Sequence, residues 1–437
     1  MNILIQLSHP AHFHLFKNVA HNLIADGNQV LFVIKSKDIL ETLLQNAGLP
    51  YVNVNQHAHR GSKFGILWDM MVREWRIIKL CRKHKIDLLA GSTPEVAHVS
   101  WLLHKHGLVI GEDDAAVVPM FSKIAGRFVR CLVTPSTCNN GIMEPASVKY
   151  LGYNELAYLH PNHFSPDASV VKGYGIDTEK PYFIMRFAQL NAHHDVGIKG
   201  INTEIAQRLI DILEGSGLDH FDSDPASACS LSPSSGNKLV LQTPTDPSQL
   251  VPLSTNSPTT NSTSGNKPRI YITSERPLEP QFEKYRIKIN PLDMHHVMAF
   301  ASLYIGDSQT MAAEAGVLGV PFVRFNDFVG RIGYLRELED KYELGYGIHA
   351  SVLPADSPIR RNDGSPQPSG VEELYKRVEQ LVAMSSDQRR KIWAERRKQM
   401  LSDKIDCAKF LTYFIEQYPS SASEVKNATP EYWTKFK

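Results

Sequence analysis

The sequence predicts an α/β protein of two Rossmann-like, doubly wound domains facing a cleft, followed by a helical C-terminal tail. Three observations predict it. The chain has 437 residues, more than one ordinary core accommodates. Short apolar runs alternate with amphipathic stretches, in two successive sets, at the spacing of crossover units on a parallel sheet. With 42% hydrophobic and 21% charged residues, the composition is that of a soluble globular chain.

The first set occupies residues 1–165. Residues 3–7 read as a buried strand. Residues 11–25 read as a helix, with Leu15, Phe16, Val19, Ala20, Leu23 and Ile24 on one face and Gly27 just past its end. Strands follow at 30–34, 51–54, 87–90, 108–111 and 131–134. The helices between them fall near 37–47, 66–83, 94–105 and 117–128. The second set, 178–400, opens with a strand at 182–187 and a helix near 203–214. It resumes with strands at 269–273, 303–305 and 321–325 and helices at 294–301 and 309–318. Helical patterns at 371–384, 386–401 and 404–418 close the chain, residues 401–437 forming the tail. From 216 to 268 the second set is interrupted by a stretch rich in Ser, Thr, Pro and Asn. It holds too few apolar residues to offset ordering entropy, and is read as a disordered surface insertion.

Composition narrows the function. A formal net charge of +1 argues against a dedicated nucleic-acid binder. The five cysteines are scattered without a CxxC pair, as reduced thiols are in a cytosolic protein. The N-terminus enters a strand directly, with no signal-peptide pattern, and no apolar run approaches the roughly 20 residues that span a bilayer. A cytoplasmic protein is expected.

In such sheets ligands sit at the carboxyl ends of the strands, and four motifs fall there. GDSQTMAAEAG at 306–316 joins a strand to a helix through a polar turn. Asp307 or Ser308 can cap that helix, and its unpaired first-turn N–H groups suit a diphosphate. Glu314 lies one turn in, among small and apolar residues, and needs a partner that two ribose hydroxyls would supply. SHPAHFH at 8–14 follows the first strand, with His9 as a candidate general base and His12 beside it. His14 and His21 read as solvent histidines. Glu112, Asp113 and Asp114 follow the strand at 108–111. Clustered carboxylates raise one another's pKa, which suits acid–base work, although Asp114 could instead cap the next helix. Arg186 ends the first strand of the second set, where its donor fork suits phosphate, with His194 and Asp195 in the loop beyond. No histidine–carboxylate spacing supports a metal site. Separately, residues 73–85 (REWRIIKLCRKHK) are basic and aromatic. They read as a solvated amphipathic helix or as a contact with an anionic membrane at the inner face.

Four segments in order, ILIQLSHPAHFHLFKNVAHNL, KYLGYNELAYLHP, RFAQLNAHHDVGIKG and GDSQTMAAEAGVLGVP, resemble the prokaryotic "domain of unknown function 354" family. Its members are described as predicted glycosyltransferases of the GT-B fold. The wider fold group includes the lipid II-forming N-acetylglucosaminyltransferase and the UDP-N-acetylglucosamine 2-epimerase. The resemblance implies a nucleotide-diphosphate sugar as substrate, no further cofactor, and a glycan or lipid-linked acceptor in cell-surface glycan or glycolipid synthesis. It assigns Glu314 to the nucleotide ribose; by their position at the strand ends, Arg186, His194, Ser308, Gln309 and Thr310 are the other residues expected in the donor site. His9 matches the first-loop histidine of transferases, whereas Glu112 and Asp113 match the carboxylates of epimerases. His12 and Asp114 fall on the acceptor side. The chain has His-Pro-Ala-His where the lipid II enzyme has a glycine-rich loop.

Overall fold

The computed structural model describes residues 1–35, 39–54, 63–188, 199–216 and 269–437. His194, Asp195 and the low-complexity insertion from residue 217 onward lie outside the described residues.

The first sheet has seven parallel strands: β1 (Asn2–Leu7), β2 (Gln29–Ile34), β3 (Tyr51–Asn53), β4 (Leu88–Gly91), β5 (His106–Ile110), β6 (Leu132–Pro135) and β7 (Ser147–Tyr150). Their order is β3-β2-β1-β4-β5-β6-β7. The crossovers are α1 (Pro10–Ala25), α2 (Ile39–Asn46), α3 (Lys63–Lys83), α4 (Pro94–Leu102) and α5 (Pro119–Ala125). Leu4, Val33, Leu89 and Val109 pack under α3 and α4 against Ile77, Cys81, Val96 and Val99. Strands covered on both faces read as near-continuous apolar runs, which is why β1 and β4 were legible.

A 3-10 turn at Asn154–Ala157 and α6 (Ala168–Gly173) lead to the second sheet. It consists of β8 (Tyr182–Phe187), β9 (Arg269–Ser274), β10 (Leu303–Gly306), β11 (Phe322–Asn326) and β12 (Gly345–His349). All are parallel, in the order β12-β11-β10-β8-β9. Its helices are α7 (Thr203–Gly215), α8 (Met294–Ala299), α9 (Gln309–Leu318) and the short α10 (Gly333–Arg336). Then come α11 (Val371–Val382), α12 (Ser386–Asp403), α13 (Cys407–Glu416) and α14 (Ser420–Lys426). The last helices return to the first sheet. Asn22 and Asn28 of the α1 region donate to Thr412 (3.2 Å) and Glu416 (2.8 Å), and the Ile405 N–H bonds the Leu151 carbonyl.

Two strands, β7 and β12, add to the pattern expected. In β12 a Cβ at Gly345 would meet the Phe322 ring at 2.3 Å, and one at Gly347 would meet the Glu339 carboxylate at 2.6 Å. Packing therefore demands glycines that weaken a strand's sequence signal.

Candidate functional site

The carboxyl ends of both sheets open onto one cleft of about 1150 Å³. His9, His12, Glu112 and Asp113 line it from the first sheet, and Arg186, Ser308, Gln309, Thr310 and Glu314 from the second.

On the second side, β10 ends at Gly306, where a side chain would force its neighbours to shift: a Cβ would lie 2.6 Å from the Tyr304 hydroxyl and 2.9 Å from the Arg186 carbonyl. Ser308 caps α9, its Oγ accepting from the Met311 N–H, so the first turn keeps N–H groups to offer. Asp307 does not cap that helix. Its oxygens accept from the Ala188 N–H (2.6 Å) and the Ile201 N–H (3.4 Å), tying the β8 exit to the start of α7. Burial pushes its carboxyl up to about 6. Gln309 is also partly committed, because its Oε1 accepts from Arg324 (2.7 Å), a fully buried residue paired with Glu339. Arg186 Nη2 meets Glu275 at 2.5 Å, and its buried Nε has no partner among the described residues. Lys288, which sequence reasoning missed for want of a motif, also lines the cleft.

Glu314 is buried, which excludes a place on the solvent edge of α9. Its Oε1 accepts from the Tyr158 hydroxyl (2.9 Å) and meets His295 Nε2 at 3.0 Å. Burial alone would raise its pKa, but His295, His14 and Tyr158 outweigh burial and hold it below the ordinary carboxylate value. The partner the sequence demanded is thus supplied by protein, one bond reaching it from beyond the 3-10 turn after β7. His14 is corrected as well: it is buried, and its ring packs on Tyr158 (5.4 Å) and His295 (4.9 Å). Burial lowers its pKa to about 3, with neighbouring His295 adding to the effect. It lies one residue beyond the apolar face of α1, against the second half of the molecule. His21 is exposed, as expected.

On the first side, His9 is the N-cap of α1, its Nδ1 accepting from the Ala11 N–H at 3.2 Å. A neutral ring that accepts at Nδ1 carries its proton on Nε2 and offers a donor there, not a lone pair. Its surface is exposed, yet the surrounding protein holds its pKa down, against the pull of Glu275 and Glu314. His12 turns inward, its Nδ1 accepting from the Ser8 N–H (3.3 Å), and burial lowers its pKa to about 3.

Glu112 and Asp113 part company. Asp113 is exposed in the cleft. Glu112 keeps a buried Oε2 without a partner, and burial raises its pKa well above the ordinary value, reinforced by Glu155 and Asp113. Glu155, unremarked in the sequence, is fully buried with both oxygens unpartnered among the described residues, and burial raises it too. Asp114, expected on the acceptor side or as a helix cap, is buried. It does not line the cleft, and its oxygens accept from the Asn139 N–H (2.8 Å) and from the Gly333 N–H (2.7 Å) that opens α10. Among the described residues, no group of His, Cys, Asp and Glu is arranged to hold a metal ion.

No protein-family model and no curated protein matches the sequence. Solved structures match over nearly the whole chain. A UDP-GlcNAc 2-epimerase from Neisseria meningitidis, bound to UDP-GlcNAc, is similar at a TM-score of 0.55 and 9% identity, over 95% of this chain and 100% of that one. The spinosyn rhamnosyltransferase SpnG, complexed with thymidine diphosphate, is similar at 0.52 and 11%, over 94% and 99%. The spinosyn forosaminyltransferase SpnP is similar at 0.52 and 12%, over 97% and 100%. Identities this low speak for fold. With its two parallel sheets and its returning C-terminal helices, this chain has the GT-B fold.

Proposed function

We propose that the chain is a glycosyltransferase moving a sugar from a nucleotide-diphosphate sugar to an acceptor hydroxyl. The observation that carries the reading is one cleft lined by the first turn of α9, Arg186 and Lys288 from one sheet and by His9, Glu112 and Asp113 from the other. The α9 amides, Ser308, Thr310 and the two cations suit the diphosphate and stabilise it as it leaves, so the reading calls for no metal. Glu314 takes the ribose, the sugar hydroxyls competing with Tyr158 for the carboxylate. Asp113 accepts the acceptor proton, because the Nδ1 lone pair of His9 is occupied. His9 donates through Nε2.

One observation favours a second reading. Glu112 and Glu155 are carboxyls held toward the neutral form, and a neutral acid beside the cleft suits a nucleotide-sugar 2-epimerase, which eliminates and re-adds the nucleotide. A thermal-shift screen of nucleotide sugars identifies the donor. Incubation with UDP-N-acetylglucosamine alone then separates the readings. A C2 epimer formed without acceptor rejects the transferase. Donor binding with no epimer and no turnover until an acceptor is added supports it. Glu314→Gln is expected to weaken donor binding more than tenfold, about 1.4 kcal/mol or more. Unchanged affinity would move the donor site elsewhere.

A further inference from the structure

Several large apolar side chains stand in solvent on one side of the first domain. Trp68, Met71 and Trp75 of α3 are 56%, 52% and 55% exposed. They fall at steps of three and four, so they share one face of the helix, and Lys79 and Arg82 continue the same stripe. The Lys79 ammonium lies 3.5 Å over the Trp75 ring. Two residues expected at the surface are committed elsewhere. Arg73 is buried against Glu95 (3.0 Å), and Arg76 donates to the Val54 carbonyl. The exposed stripe, and not the whole basic run, is what solvent meets.

The stripe belongs to a continuous layer. His98 of α4 bonds Glu74 of α3 (2.6 Å) and the Ile124 carbonyl of α5 (3.0 Å). Trp101 and Leu102, at the end of α4, are also exposed, with Trp101 edge-on to Phe128. Met120 of α5 and Ile142, whose Cδ1 lies beside Gly126, extend the surface. Both adjoin in sequence residues that line the cleft, Phe121 and Met143. Scattered exposed apolar residues are ordinary, but a tryptophan-rich face on three adjoining helices marks an interaction surface.

We propose that this face of α3, α4 and α5 docks on an anionic lipid surface. Charge decides for lipid over a protein partner. Lys79, Arg82 and Lys83 on α3 and Lys123 and Arg127 by α5 are exposed around the apolar residues, whereas Glu74 is tied to His98, Glu144 to Lys149, and Asp69 is half-buried. Protein interfaces are depleted in lysine, while tryptophan flanked by Lys and Arg is the composition that sits at a headgroup boundary. Among the described residues no helix is long and apolar enough to cross a membrane, so the contact is peripheral.

The test is co-sedimentation of the full chain with phosphatidylcholine vesicles, with and without phosphatidylglycerol. The chain is expected to sediment with the anionic vesicles, to bind neutral ones far less, and to be released by salt. The pairs Trp68→Ser/Trp75→Ser and Lys79→Glu/Arg82→Glu each lower partitioning by about tenfold or more. Thermal melting and nucleotide-sugar binding, measured on the same samples, stay unchanged, so this outcome stands apart from that of the donor site. Failure to bind anionic vesicles overturns the proposal, as does wild-type partitioning by both variants. So does a self-associating chain made monomeric by Trp68→Ser/Trp75→Ser that ignores lipid.

Discussion

Glu155 has no exposed surface, and among the described residues neither carboxylate oxygen finds a hydrogen-bond donor. An ionised group so placed is costly, and the economical state is the neutral acid. A carboxyl whose pKa rises on folding binds more protons folded than unfolded. Its contribution to stability therefore falls as pH climbs from the ordinary carboxylate value toward the raised one. Glu155→Gln cannot ionise, so it should gain stability relative to wild type from about pH 5 to about pH 8, by at most ~1.4 kcal/mol per pH unit. Urea midpoints of both proteins at the two pH values measure it, and a constant difference would mean that Glu155 titrates normally. His14 works with the opposite sign. With a folded pKa near 3, it binds fewer protons folded than unfolded, so stability is lost as pH falls below about 6.5. His14→Phe should gain on wild type over that acidic range in the same melts. Sequence could place His9, Glu112 and Asp113 at a strand's carboxyl edge, because adjacency to a strand is local information. It could not see that His14 meets Tyr158 and His295, or that Glu155 has no partner, because those facts depend on residues more than a hundred positions away.

At the scale of elements, local pattern carried furthest where a strand was buried on both faces and a helix had a clear cap and stop. The boundaries of β8 and α9 coincide with the apolar run at 182–187 and with the stretch between the Ser308 cap and left-handed Gly319. The pattern said little of which polar side chain caps and which braces. Asp307 and Ser308 are neighbours with equal capping chemistry, and only the position of the Ala188 and Ile201 amides sends Asp307 backward. The turn they share also depends on Gly306. Gly306→Ala would drive a Cβ into the Arg186 carbonyl and the Tyr304 hydroxyl, parting β10 from β8 where both end at the cleft. The expected cost is about 1–3 kcal/mol of stability, with a loss of nucleotide-sugar affinity beyond it because Arg186 moves. Denaturant melts and calorimetric titration separate the two effects. Unaltered affinity in a destabilised but folded variant would show that the β8–β10 edge does not set the diphosphate site.

At the scale of the whole molecule, the chain order hides the assembly. The sequence reads as two domains and a tail, but residues 404–437 belong to the first sheet's side as much as α1 does. Asp406 caps α13 and binds His163 (2.8 Å), while Phe410, Leu411 and Phe414 are fully buried. Gly152 lacks a side chain where Cys407 Sγ would lie 2.3 Å from a Cβ. Amphipathic periodicity announced the helix without naming its partner, because two helices nearly four hundred residues apart share no local signal. The halves are joined by polar bonds too: Asp114 to Gly333, Tyr153 to Glu337 and Tyr158 to Glu314. Each large side chain buried by the returning segment contributes about 1.5–3 kcal/mol, so its loss exceeds what a domain of ordinary stability can bear. A chain ending at Asp403 should therefore lose its cooperative melt and bind a hydrophobic dye, exposing the α1 face that α13 covers. A truncated chain that melts at the wild-type midpoint, with nucleotide-sugar affinity intact, would show that the first domain closes its core without the returning helices.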